Sequence, residues 1–188
     1  MPVFLRRTLF VFLNRLNFPV LHEVPGIYAW KRWLCRWCGL RLGSGVVLTA
    51  HVHAEPGMAE VTIEEYAMIG LHTVLINFAP ISIGKFTRIG TDVTLANGAP
   101  GERPEPTSGK TLSIGRGCWI GAGATILGPV TIGDFAIIGA GSLVVGDVPA
   151  QAVVFGVPAR IIWKRKLPDR IWYLPGCYYD PRTLEFCS

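Results

Sequence analysis

The sequence predicts an all-β solenoid with triangular coils, on three observations. An aliphatic or small apolar residue recurs every six positions: Leu42, Leu48 and Ala54; Ile63, Ile69 and Leu75; Ile83, Ile89 and Leu95; Ile114, Ile120 and Ile126; Ile132, Ile138 and Val144. A small or narrow residue stands four positions after most of these, among them Ala67, Thr73, Thr87, Val93, Cys118, Ala124, Ala136 and Ser142. Glycine directly follows the aliphatic at Gly43, Gly70, Gly84, Gly90, Gly115, Gly121, Gly133 and Gly139. A helix repeats every 3.6 residues and cannot give a period of six. A short strand followed by a tight corner can. Three such faces close one coil, and coils stack through strand hydrogen bonds about 4.8 Å apart. Fifteen hexads in five sets of three therefore predict about five coils.

Taken in order, residues 1-41 precede the repeat and are apolar and basic, with VFLRRTLFVFLNRLNF followed by YAWKRWLCRWCGL. This segment reads as a helical cap over the open end of the solenoid, which otherwise exposes core and strand edges. An apolar helix carrying Arg6, Arg7 and Arg15 also suits a membrane surface, so peripheral membrane association is the alternative. Residues 42-149 form the solenoid. Its register breaks at Glu60 to Thr62, at Ile81 and Ser82, and from Gly101 to Ser113, and each break predicts a bulge or loop. The extension 150-188 is basic around Arg160, Lys164, Arg165 and Lys166, and its aromatic stretch IWYLPGCYYD carries no readable chemistry.

Composition excludes several classes. Hydrophobic residues are 50% of 188 and charged residues 16%, against a usual charged share of about 25%. That rules out a disordered chain. The 22 glycines show no G-X-Y period, and no run reaches the roughly 18 apolar residues of a membrane-spanning helix. A net charge of +5 suits phosphate-bearing ligands or an anionic membrane surface, and nucleic acid is not expected as a partner. Five cysteines in a chain of this size indicate a reduced compartment. The expected location is the cytoplasm, at the inner face of the membrane if the N-terminal segment binds there. Cys35 and Cys38 lack a second pair to complete a zinc site, and no metal is expected.

The run IGRGCWIGAGATILGPVTIGDFAIIGAGSLVVGDVPAQAVVFGVPARII, Ile114 to Ile162, resembles the hexapeptide-repeat acyltransferases, which are left-handed parallel β-helices. Upstream, WKRWLCRWCGLRLGSGVVL and APISIG look like the sugar O-acetyltransferases of bacterial polysaccharide pathways. The resemblance covers about residues 25 to 163. It implies acetyl transfer from acetyl-CoA as co-substrate, and a homotrimer with active sites between subunits. By position it implies cofactor contacts at Trp119, Ala122, Ala140 and Arg160. Trp163 stands where the pattern often has a further basic residue, and Lys164 is the nearest substitute. The histidine that the family usually carries at the start of the long loop is absent from LANGAPGERPEPTSGK, and the position of the serine acetyltransferases' own histidine reads Asn77.

The hexad register offers a replacement base. His51, His72 and Asp92 each lie three residues after the aliphatic of a middle hexad in successive coils. They should share one outward column, roughly 5 Å apart per rung. Ala122 and Ala140 fall in the middle hexads of the next two coils, along the same edge. A hydroxyl needs a base to take its proton as it attacks a thioester. An aspartate beside an imidazole fixes its tautomer and raises its basicity. His72 is therefore the expected base, with Asp92 orienting it and His51 in support. The plainer reading has these side chains decorating a corner or packing between subunits. Asn77 and Asn97 form a further column, expected to satisfy corner backbone groups or, at Asn97 beside the loop, to hold a substrate hydroxyl. Three histidines would suit the zinc site of the γ-class carbonic anhydrases, but the positions required in later coils hold Ala122 and Leu127.

The function expected from these readings is acetyl transfer to a sugar hydroxyl in surface-polysaccharide biosynthesis, the acceptor being a small or lipid-linked sugar. The alternative is a trimeric scaffold or regulatory partner that has kept the fold and lost the base. An acyl carrier protein in place of CoA, or a longer acyl group, would also meet Arg160 and Lys164.

Overall fold

In the computed structural model, residues 39–49, 51–54, 59–98, 111–174 and 177–187 are described. The expected N-terminal cap and the loop tip therefore lie outside the described residues. Five coils stack as predicted. The first holds β1 (Leu40–Leu42), β2 (Val47–Leu48) and β3 (His53–Ala54). The second holds β4 (Val61–Ile63), β5 (Met68–Ile69) and β6 (Val74–Asn77), and the third β7 (Ile81–Ile83), β8 (Arg88–Ile89) and β9 (Thr94–Asn97). The fourth holds β10 (Leu112–Ile114), β11 (Trp119–Ile120) and β12 (Thr125–Leu127), and the fifth β13 (Thr131–Ile132), β14 (Ile137–Ile138) and β15 (Leu143–Val144). The protein is a left-handed parallel β-helix with three parallel sheets for faces, here called first, middle and third.

Every hexad aliphatic lands on an inward position. Ile63, Ile83, Ile114 and Ile132 pair in register on the first face, and Ile69, Ile89, Ile120 and Ile138 on the middle face. The narrow residues four positions on, such as Ala67, Val93, Cys118 and Ala136, are buried beside them. Alternation explains this: in a short strand only every second side chain faces inward, so one aliphatic and one corner residue fill each face. Glycine after the aliphatic is a packing requirement. A Cβ on Gly90 would lie 2.7 Å from the backbone nitrogen of Ala122 in the coil above.

The register breaks resolve differently from the expectation. Ile81 and Ser82 are strand residues of β7, as is Thr62 of β4, and Thr62 pairs with Ser82. The extra length lies in the corner before β7, residues 78–80, which follows an inward Asn77 rather than a bulge. Leu112 and Ser113 likewise belong to β10 and not to the loop. Leu40 and Arg41, placed in the N-terminal segment by sequence, already pair with Val61 and Thr62.

The solenoid also runs past residue 149. Val148, the narrow residue four positions after Val144, bridges to Ile132. Then β16 (Ala152–Gly156) stacks on β14, and β17 (Ala159–Lys164) folds back antiparallel on β16. The aromatic tail forms a separate antiparallel sheet of β18 (Ile171–Leu174), β19 (Cys177–Tyr179) and β20 (Phe186–Cys187). It packs on the corner between first and middle faces. There Tyr66, Phe86 and Phe135 occupy the same left-handed position in the second, third and fifth coils, with φ near 58°, and Gly117 takes it in the fourth. Phe86 stacks on Tyr179 at 4.3 Å between ring centroids and meets Tyr173 edge-on at 5.5 Å. The Tyr173 hydroxyl donates to the Tyr66 carbonyl at 3.0 Å. These rings form a second core outside the solenoid.

Candidate active site

The corner between the middle and third faces carries the site. The third residue after each middle-face aliphatic is His51, His72, Asp92, Gly123 or Gly141, and all five have positive φ, from 55° to 68°. The corner demands that backbone, so its side chains point outward in one column. Adjacent coils are tied by amides: Asp92 N donates to Leu71 O, Gly123 N to Thr91 O and Gly141 N to Ala122 O, at 2.8–2.9 Å. The expected column is thus present. His72 Nδ1 lies 3.3 Å from Asp92 Oδ1, and the His51 and His72 rings sit 5.3 Å apart, tilted by 33°. Both members of the His72–Asp92 pair are exposed, their side chains at 59% and 69%.

Above Asp92 the ridge changes character. Gly123 and Gly141 replace side chains, although a Cβ on Gly123 would find its nearest neighbours 3.9 Å away and one on Gly141 would find nothing within 4 Å. Three non-glycine residues take the same backbone lower down, so internal crowding does not demand glycine here. Beside these glycines stand only the exposed methyls of Ala122 and Ala140. The upper ridge is a strip of bare backbone bordered by small side chains. At its top the exposed Phe155 ring closes over Gly139, and Gly156 N donates to Ser142 Oγ at 3.2 Å.

The other expected site residues divide. Trp119 lies on the outer side of the middle face, 60% exposed, three residues before Ala122. Arg160 pairs with Phe155 and so stands at the ridge end of the hairpin, exposed to solvent. Lys164 does not join it. It pairs with Ala152, at the opposite end of β16 and about 10 Å along that strand from the Arg160 partner Phe155. It stands four residues farther along the same strand β17, away from the ridge end of the hairpin, which separates it from the expected cofactor set. Asn77 and Asn97 are register partners on the third face, exposed by 4% and 1%. Their side-chain amides donate to Ala59 O and Pro80 O, each at 2.6 Å. Both are therefore corner residues facing inward, and the substrate contact expected of them is replaced by these backbone bonds.

A cavity of about 360 Å³, lined by residues including Arg41, Glu64, Glu65 and Lys85, lies at the other corner of the lower coils, away from the ridge. Its charges are already engaged: Lys85 Nζ stands 3.0 Å from Glu65 Oε2, the Lys85 backbone N–H donates to Glu64 Oε2, and Arg41 Nε lies 2.9 Å from Glu60 Oε1. Cys118, a buried thiol in the repeat, is pushed up to about 12 by burial and so stays protonated. Among the described residues, no group of three or more His, Cys, Asp or Glu is disposed to hold a metal ion.

The repeat and the three parallel faces together define a left-handed β-helix of the hexapeptide-repeat type. Residues 112–146 match the family described as bacterial transferase hexapeptide (six repeats). The serine acetyltransferase of Mycobacterium tuberculosis is 34% identical over 151 residues, covering 76% of this chain and 63% of its own length. The putative colanic acid biosynthesis acetyltransferase WcaF of Escherichia coli is 29% identical, covering 74% and 77%. A hexapeptide-repeat acetyltransferase of Vibrio cholerae, solved with acetyl coenzyme A, superposes with a TM-score of 0.65 at 26% identity, covering 87% and 88%. The chain thus spans less than two thirds of the mycobacterial relative.

Proposed function

We propose that the protein transfers an acetyl group from acetyl-CoA to a hydroxyl of a sugar in surface-polysaccharide assembly. The observation that carries this reading is the division of one ridge into two parts, an exposed imidazole–carboxylate pair below and a bare backbone strip above. A thin, flexible pantetheine arm suits such a strip, because small side chains let it approach backbone amides and carbonyls closely. Arg160 at the upper end supplies a cation for CoA phosphates. The V. cholerae acetyltransferase solved with acetyl coenzyme A supports the choice of donor, and the name of the colanic acid relative supports a saccharide acceptor.

In this reading Asp92 accepts the Nδ1 proton of His72, leaving the Nε2 lone pair for the acceptor. Nε2 takes the hydroxyl proton as the oxygen attacks the thioester carbonyl. The tetrahedral intermediate then collapses, the C–S bond breaks, and the imidazolium returns the proton to the CoA sulfur. The ester and free CoA leave His72 neutral, so the cycle closes without a redox step. A second copy contributes through the third face, whose outer side in the upper four coils shows Val74, Ile76, Thr94, Ala96, Thr125, Leu127, Leu143 and Val145 and no charge. That surface borders the ridge, so a homotrimer built on it would wall the cleft.

A second acceptor reading rests on the mycobacterial relative: the hydroxyl of serine. One experiment separates the readings. CoA thiol release is followed with acetyl-CoA and either a panel of sugars or serine. Release that depends on a sugar supports the proposal, and release with serine alone replaces the acceptor. CoA binding without release on any acceptor favours the scaffold.

A further inference from the structure

The β16–β17 hairpin leaves a patch at the top of the solenoid that the transfer reaction does not use. Val157 is 70% exposed, Trp163 58%, and Ile161 and Ile162 more than half exposed. β17 is an edge strand of the middle sheet with no neighbour on its outer side among the described residues. A long apolar edge in water is a liability unless something covers it. The charge around it has one sign. Between Asp147 and Asp169 the chain holds Arg160, Lys164, Arg165 and Lys166 and no carboxylate. Among the described residues none of the four is ion-paired, and the nearby Asp169 is held by Arg182 at 2.9 Å. Third-face contacts between copies would leave this hairpin uncovered, because it extends the middle sheet.

We infer that this hairpin docks the protein on an anionic bilayer surface. Branched aliphatic side chains and a tryptophan enter the headgroup boundary, while Lys164, Arg165 and Lys166 meet acidic headgroups and Arg160 stays with the ridge. Neither contribution suffices alone, since a few apolar groups give only marginal binding and each basic residue adds only a small attraction near an acidic surface. The solenoid axis then stands away from the membrane, with His72 four rungs, or about 19 Å, below the hairpin level. Docking is independent of whether the ridge transfers acetyl.

The test is co-sedimentation of the full chain with phosphatidylcholine vesicles and with vesicles containing phosphatidylglycerol. Parallel measurements follow an Ile161→Ser/Ile162→Ser double variant and Lys166→Glu, with light-scattering mass and thermal melting recorded for each. Binding to the acidic vesicles alone is expected. The double variant should lose about tenfold or more in apparent affinity and Lys166→Glu about fivefold or more, with mass and melting unchanged. Absence of binding by the parent chain overturns the inference. So does undiminished binding by both variants, which would assign the contact to residues 1–38. A double variant of altered mass would make the patch an interface between copies, and would also overturn it.

Discussion

His72 Nδ1 faces Asp92 Oδ1 across one rung of the solenoid at 3.3 Å, both side chains held outward by the same left-handed backbone. The next rungs up carry glycine at that position. An exposed polar pair of this kind adds little stability, typically less than about 1 kcal/mol. Its removal should therefore report on chemistry rather than folding.

His72→Ala should lower kcat by about 10²–10⁴-fold, the usual contribution of a general base, with little change in melting temperature. Asp92→Asn keeps the shape but removes the charge that orients the imidazole, and should cost less. Near-normal turnover in His72→Ala would remove this histidine from the mechanism.

Ala122→Tyr places a ring on the bare part of the ridge. Ala122 is exposed, so the fold should tolerate the change. CoA affinity, read by calorimetry, should fall by more than about tenfold through steric exclusion alone. Unchanged affinity would place the cofactor elsewhere.

The third face should hold copies together. Leu127→Glu with Val145→Glu sets charges on two of its most exposed apolar positions. Light scattering should show a mass falling toward one chain, with loss of turnover, because like charges would be desolvated against an apolar partner.

The aromatic corner should be a separate source of stability. Phe86, fully buried between Tyr66 and Tyr179, anchors the C-terminal sheet. Phe86→Ala should cost about 3–5 kcal/mol and expose residues 167–187 to protease while the coils persist.

Alkaline pH should loosen the same corner. Burial pushes the Tyr179 hydroxyl up to about 12, and raises Tyr173 in the same direction. The unfolded chain releases these protons near 10, so between about pH 10 and 12 it binds fewer protons than the native state. Stability present below pH 10 is then lost as pH rises. Tyr179→Phe should flatten that decline in a melting series. An unaltered slope would show that other groups govern the alkaline limb.

The solenoid, its five coils and the His51–His72–Asp92 column were legible in the sequence because each depends on one local rule. A period of six fixes which residues face inward, and coils that repeat the same path must stack equivalent residues, so a column follows from counting. The buried asparagines were half legible. Their stacking followed from the count, but the inward aim of Asn77 and Asn97 depends on a wide corner whose carbonyls at Ala59 and Pro80 need donors. Tertiary structure alone decided the rest. The Tyr173–Tyr66 contact joins residues 107 positions apart and leaves no period to read. Likewise the sequence does not show that β17 folds back on β16, which sets Arg160 beside Phe155 at the ridge and Lys164 beside Ala152 at the far end. Repetition makes neighbours predictable because the chain meets its own pattern again one coil later. Where the pattern stops, at Val148, position is set by side-chain packing between distant segments, and only the folded chain contains that information.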